Sequence, residues 1–272
     1  MNATTHHTAQ HDGQHTEHHS ARRPLLEIAV QDALGARIAA AEGADRIELC
    51  AALGATGGLT PSFGAIRMCA EAGVPRGVHV LIRNRGGDFI FDADDQAQQL
   101  ADVRPALEAG ASGIVVGGLR ADGGIDADFA RRLADTARDE AQRLGLPHVD
   151  VTFHRAFDMV PAARRRDSLE TLIALGYTRI LTSGGAPTVP EGLEALAELA
   201  AWADGRIEIM AGGGLKAAGF ARAAASGVDA LHLSAKTVVR SAGGPGGGGS
   251  DGAYERTDAA QVREAVRVVR GL

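Results

Sequence analysis

The sequence predicts a single (β/α)8 barrel over residues 23–272. Three observations carry that expectation. Eight short apolar runs recur along the chain, and the stretches between them read as helices. No G-x-G-x-x-G follows the first run, where the dinucleotide fingerprint of an open doubly wound sheet belongs. Alternating strand and helix patterns call for parallel strands joined by crossovers, and eight units close such a sheet on itself. The missing fingerprint also argues against a nucleotide cofactor.

The strand-like runs are LLEIAV (25–30), DRIELC (45–50), GVHVLIR (77–83), GIVVG (113–117), DVTFHR (150–155), RILTS (179–183), RIEIMAG (206–212) and ALHLSA (230–235). Among the helices, alanine-rich 31–43 follows the first run. Pro61, favoured at a first helical position, opens the next, which closes at Gly73. Phe129, Leu133, Ala137, Ala141 and Leu144 recur at spacings of three and four, the apolar stripe of an amphipathic helix. Segments 190–203 and 216–226 fit the same role, and a helix near 258–270 closes the last unit.

Side chains alternate faces along a strand, so each run splits into two sets. One set is uniformly apolar (Ile28 and Val30; Ile47 and Leu49; Val78, Val80 and Ile82; Val151 and Phe153; Ile207 and Ile209; Leu231 and Leu233) and belongs under the helices. The other then fills the barrel, and it is polar: Glu27, Glu48, His79, Arg83, Thr152, His154, Glu208, His232 and Ser234. Buried charges need partners, so part of this set must form a structural network, with Glu208 its plainest member. The residues nearest the C-terminal strand ends are site candidates, because barrel activity sits on that face.

Glu48, His154 and His232 are the candidate proton-transfer groups, and opposed surroundings could set one as acid and another as base. Arg83, Arg85 and Arg155 stand at two strand ends, where guanidinium matches carboxylate or phosphate with paired donors. Glu27, Asp158, Ser183 and Ser234 complete the polar set expected around an anionic ligand. AGGG at 211–214 leads from the seventh strand, and its Gly213 and Gly214 leave amides free to cradle an anion at a helix N-terminus. Loops after strands seven and eight are a frequent phosphate site in such barrels.

Bulk properties narrow the partners. Aromatics are only 4%, so the core must be built from Ala, Val, Ile and Leu. The net charge is −6, and the only lysines are Lys216 and Lys236, which excludes a basic nucleic-acid surface. No apolar run is long enough to span a bilayer and no signal peptide opens the chain. Two cysteines, Cys50 and Cys69, make no disulfide framework, as fits a reducing cytoplasm. Residues 1–22 form a polar tail expected to be disordered, carrying His6, His7, His11, His15, His18 and His19, a composition that can bind metal ions. A second flexible stretch is the glycine-rich loop at 241–252.

The strings GADRIELC (43–50), GGLTPSFG (57–64), IRNRGGDF (82–89), VTFHRAFD (151–158), RILTSGG (179–185), AGGG (211–214) and the HLSA ending together resemble the CutC family of copper homeostasis proteins, over about residues 25–240. The resemblance implies a (β/α)8 barrel, a cytosolic and homo-oligomeric protein, and copper as the metal handled. It also implies Cys50 as a Cu(I) ligand. Members proposed to bind Cu(I) carry a second cysteine on strand one, where this chain has Ala29, and Asn84 stands where the family commonly has proline. Two functional readings follow: copper handling, or an acid–base lyase, isomerase or hydrolase acting on a small anionic or phosphorylated metabolite.

Overall fold

A computed structural model describes residues 23–240 and 252–272; the histidine tail, and the glycine-rich loop except Gly252, lie outside the described residues. Eight parallel strands close into a barrel in sequence order. They are β1 (Leu25–Val30), β2 (Arg46–Leu49), β3 (Val78–Leu81), β4 (Gly113–Val116), β5 (Asp150–Phe153), β6 (Arg179–Thr182), β7 (Glu208–Gly212) and β8 (Ala230–Leu233). Closure is made where β1 pairs with β8 in the register Glu27–His232. The surrounding helices are α1 (Ala33–Glu42), α2 (Leu53–Thr56), α3 (Phe63–Ala70), α4 (Ala93–Glu108), α5 (Ala127–Arg143), α6 (Arg165–Ala174), α7 (Leu193–Ala203), α8 (Phe220–Ala224) and, after the hairpin β9 (Lys236–Arg240) and β10 (Ala253–Thr257), α9 (Ala259–Val269). The expected fold is therefore observed. None of the described helices is long and apolar enough to cross a membrane.

Helix starts follow local chemistry. Asp32, Asp92, Asp126 and Asp258 each accept a hydrogen bond from an amide three residues on, which satisfies a donor the helix itself cannot. Ser62 does the same for Ala65, so α3 starts at Phe63 and Pro61 stays outside, a correction to the expected start. In α5 the residues Phe129, Leu133, Ala137 and Ala141 are all buried, as their spacing requires. The expected helix at 216–226 shrinks to α8 behind a short 3-10 turn, Ala217–Gly219. The hairpin β9–β10 was not expected; its strands flank the glycine-rich loop.

The two strand faces divide as parity predicts. Ile28, Val30, Ile47, Leu49, Val80, Ile114, Val151, Phe153, Ile180 and Ile209 pack beneath the helices in one continuous apolar layer. Inside, an ionic lattice fills the lower barrel. Arg46 donates to Glu27 and Glu208, Arg179 donates to Glu208 and Thr152, and Arg179 Nη1 lies 3.2 Å from His79 Nδ1. Asp150 lies 3.2 Å from the other ring nitrogen of His79. Each carboxylate of this lattice (Glu27, Asp150 and Glu208) thereby faces a guanidinium, which offsets the cost of removing it from water. This lattice plugs the barrel from below and leaves the C-terminal end to the site.

Candidate functional site at the barrel mouth

The C-terminal end of the barrel opens into a cavity of about 1270 Å³. Of the expected site residues, Glu48, Arg83, His154, Arg155, Gly213, Gly214, His232 and Ser234 border it, together with Lys216, Phe89 and Ala29. Lys216 had not been singled out, because it follows a strand and parity does not fix a loop residue.

His232 sits on β8 with Nδ1 2.8 Å from a carboxylate oxygen of Glu27, and its Nε2 lies 3.6 Å from Glu48. Glu27 is 1% exposed. Burial opposes its ionisation, but the Arg46 guanidinium and His232 overcome this and hold it well below the usual carboxylate range. Glu48 has no such cation beside it except His232, and burial raises its pKa. His232 is pushed down by burial but pulled further up by the hydrogen bond to Glu27 and by the charge of Glu48. The result is an imidazole oriented by Glu27 whose pKa is raised, next to a carboxyl group whose pKa is raised as well. Such a pair can exchange a proton with a ligand lying against it.

On the opposite side β5 ends at Phe153, earlier than the expected residue 155, and His154 caps the 3-10 turn Arg155–Met159. Its Nδ1 accepts from the Ala156 amide, so the ring proton resides on Nε2. Burial, and then the nearby Arg83 charge, depress the pKa of His154 to about 3. It is therefore held neutral at physiological pH, a donor through Nε2. Gly117 makes room for the ring, since a Cβ there would fall 2.5 Å from Cε1 and Nδ1.

Asp158 does not border the cavity. It accepts from Thr182 Oγ1 and from the amides of Ser183 and Gly185, so it pins the loop after β6. The same carboxylate holds Arg155 Nε at 2.8 Å, while Arg155 Nη2 is 3.1 Å from the Ser183 hydroxyl. Asp158 and Ser183 thus position Arg155, whose guanidinium lies over Gly213. A Cβ on Gly213 would meet that guanidinium at 2.7 Å, and the backbone there has φ +118°, so glycine is required twice over. The amides of Gly214, Leu215 and Lys216 donate to no acceptor among the described residues. α8 is only five residues long and set back behind the 3-10 turn, so the expected cradle at a helix N-terminus is not formed here.

Arg85 also lies away from the cavity. Its guanidinium pairs with Asp95 and Asp88, donates to the Ile90 carbonyl and stacks on Phe91. Glu27 lies beneath the mouth, as a support for His232.

Glu27, Glu48 and His232 place donor atoms within 4.8 Å of one another, the spacing of a metal site. Arg46 and His232 already occupy both oxygens of Glu27, which leaves two donors, neither soft. Cu(I) selects sulfur. Cys50 is fully buried against Leu81 and Val115, and burial, then Glu48, push its thiol well above the ordinary range, which disfavours the thiolate. Ala29 offers no second thiol, and Met210 Sδ accepts from Arg46 at 3.1 Å. These residues do not fit a resident Cu(I) ion.

Comparison with known proteins places this geometry. The sequence profile described as the CutC family matches residues 24–237. A CutC family protein of Sinorhizobium medicae is 47% identical over 193 residues, 71% of this chain and 73% of the relative. One from Caulobacter vibrioides is 37% identical over 268 residues, 93% of this chain and all of the relative. The solved structure of CutC from Streptococcus agalactiae, named for copper homeostasis, superposes with a TM-score of 0.69 at 29% identity, covering 77% of this chain and 97% of that one. A thiamine phosphate pyrophosphorylase from Pyrococcus furiosus (13% identity, TM-score 0.55, 92% of this chain and 96% of that one) shares the fold alone. A profile matching most of the chain, together with relatives at this identity, establishes that the chain belongs to the CutC family.

Proposed function

We propose that this CutC-family barrel serves copper homeostasis, the role for which its Streptococcus agalactiae relative is named, and that its mouth works by binding a small anionic ligand. The observation that carries this reading is that Arg155, Lys216 and the residues of the unpaired amides, 214–216, line the same cavity as Glu48 and His232. Guanidinium, ammonium and free amides together suit phosphate or carboxylate oxygens. Copper homeostasis then rests on ligand binding rather than on a thiolate cage inside the barrel.

Two titrations test it. In an anaerobic Cu(I) competition on the full chain, Cys50→Ser should leave the affinity unchanged. Replacing His6, His7, His11, His15, His18 and His19 by alanine should remove whatever Cu(I) binding the chain has. In parallel, inorganic phosphate or small carboxylates should raise the melting temperature of the native chain and not that of Arg155→Ala. A tenfold loss of Cu(I) affinity in Cys50→Ser would restore the barrel as the copper site. A melting temperature indifferent to every anion would remove the ligand.

One observation favours a second reading, an acid–base lyase, isomerase or hydrolase acting on the same ligand. Glu27 fixes the tautomer and direction of His232, so that Nε2 faces the cavity beside Glu48. An orienting carboxylate behind a histidine is how many enzymes hold a proton carrier in place.

A further inference from the structure

His154 and Arg83 are 5% and 4% exposed, and each keeps one buried donor without a partner: His154 Nε2 and Arg83 Nε. Three of the other four N–H donors of Arg83 are taken. Nη1 binds the carbonyls of Thr56 and Gly58, and Nη2 binds that of Gly87. These bonds fix the guanidinium and leave Nε as the free edge. Both residues lie against Phe89, whose ring centre is 4.9 Å from the His154 ring and 4.9 Å from the Arg83 guanidinium carbon. All three border the mouth cavity. A buried donor without an acceptor costs about 1–3 kcal/mol. Two of them in one corner are poor material for a structural core, but they suit a site that awaits an oxygen.

The chemistry of the missing acceptor is narrow. Neither donor can accept in return, because His154 Nδ1 is occupied by the Ala156 amide and guanidinium has no lone pair. A hydroxyl could accept there but would leave its own proton without a partner in this corner, and an ammonium group has no lone pair to offer. A carboxylate, carbonyl or enolate oxygen would gain two hydrogen bonds, one from a full cation and one from a neutral imidazole. We propose that His154 Nε2–H and Arg83 Nε–H form a receptor for one oxygen of a carboxylate or carbonyl group, and that the ligand is a small acid carrying this group at one end and a phosphate-like anion at the other. The second half rests on the anion-binding reading of the Arg155–Lys216 side. The first half stands on the two unpartnered donors alone.

The probe pair is 2-phosphoglycolate, with phosphate and carboxylate, against methyl phosphate, with phosphate only, titrated into the full chain by calorimetry. Phosphoglycolate should bind about tenfold to hundredfold tighter, the worth of one or two charge-assisted hydrogen bonds. His154→Leu should erase that advantage and leave the methyl phosphate affinity unchanged. His154→Gln, which keeps an N–H donor, should retain much of it. If His154→Leu does not fold, the native chain decides by the imidazole proton on His154 Nε2, which should move downfield with phosphoglycolate and stay still with methyl phosphate. Equal affinities for the two probes would overturn the oxygen receptor while the anion pocket stood. No binding of either would overturn both.

Discussion

Replacing Glu27 with glutamine is expected to lower the unfolding free energy by about 3–5 kcal/mol, the cost of leaving a buried ionic partner uncompensated. Glu27 accepts from Arg46 on one oxygen and from His232 on the other, in the closing register between β1 and β8. Glutamine is the same size but turns an NH2 group toward one of those cations, so the loss is electrostatic and not a matter of packing. In urea the midpoint should fall with little change in slope, because the surface exposed on unfolding is the same. A loss below about 1 kcal/mol would place the pair among ordinary surface ion pairs and contradict its burial. The native carboxylate also has a pH signature. Its pKa is held below the unfolded value, so its contribution is present above that value and is lost as the pH falls through the folded one.

His154 should dominate a second acid-linked effect. The unfolded chain takes a proton on this residue near 6.5, and the folded chain does so only at about 3. Between these values the unfolded state binds more protons, so stability falls as the pH is lowered. From pH 7.5 to 4.5, His154→Gln should lose about 2–3 kcal/mol less than the native chain, since that variant has no imidazole to protonate. Urea unfolding at the two pH values measures the difference directly. His232 carries the opposite sign. Its pKa is raised by Glu27 and Glu48 against the effect of burial, so its contribution is complete below the unfolded value and fades as the pH rises through the folded one. Parallel curves for the native chain and His154→Gln would mean that His154 is solvated and free to ionise.

Strand parity made most of the interior legible, because an alternating pattern in a closed barrel has one possible inside. Glu27, Glu48, His79, Thr152, Glu208 and His232 follow from it. Arg46 obeys the same rule two residues before Glu48, yet a charge at a strand's opening reads as rim. It is buried because Glu27 and Glu208 both neutralise it. Arg179, which opens β6, is held between Glu208 and Asp150 in the same way. Parity fails where the strand stops. β3 ends at Leu81, so Arg83 and Arg85 both lie beyond the strand, where parity fixes neither, and Arg85 turns out to Asp95. For the same reason His154 is a turn cap, and its neutral donor role depends on one amide that no pattern in the sequence reveals. Asp158 drew notice beside Arg155, but its work of holding the loop after β6 needs contacts 24 to 27 residues away.

The two histidines at the barrel mouth are expected to stand in opposite protonation states. Long-range 1H–15N correlation of the imidazole rings, assigned with His154→Gln and His232→Gln and recorded at pH 6.0, tests this most directly. His154 is predicted to be neutral with its proton on Nε2, and His232 to be mainly the imidazolium, bonded through Nδ1 to Glu27. Two rings titrating together near 6.5, or a His154 protonated on Nδ1, would contradict it and leave the mouth with a fold but no polarised site.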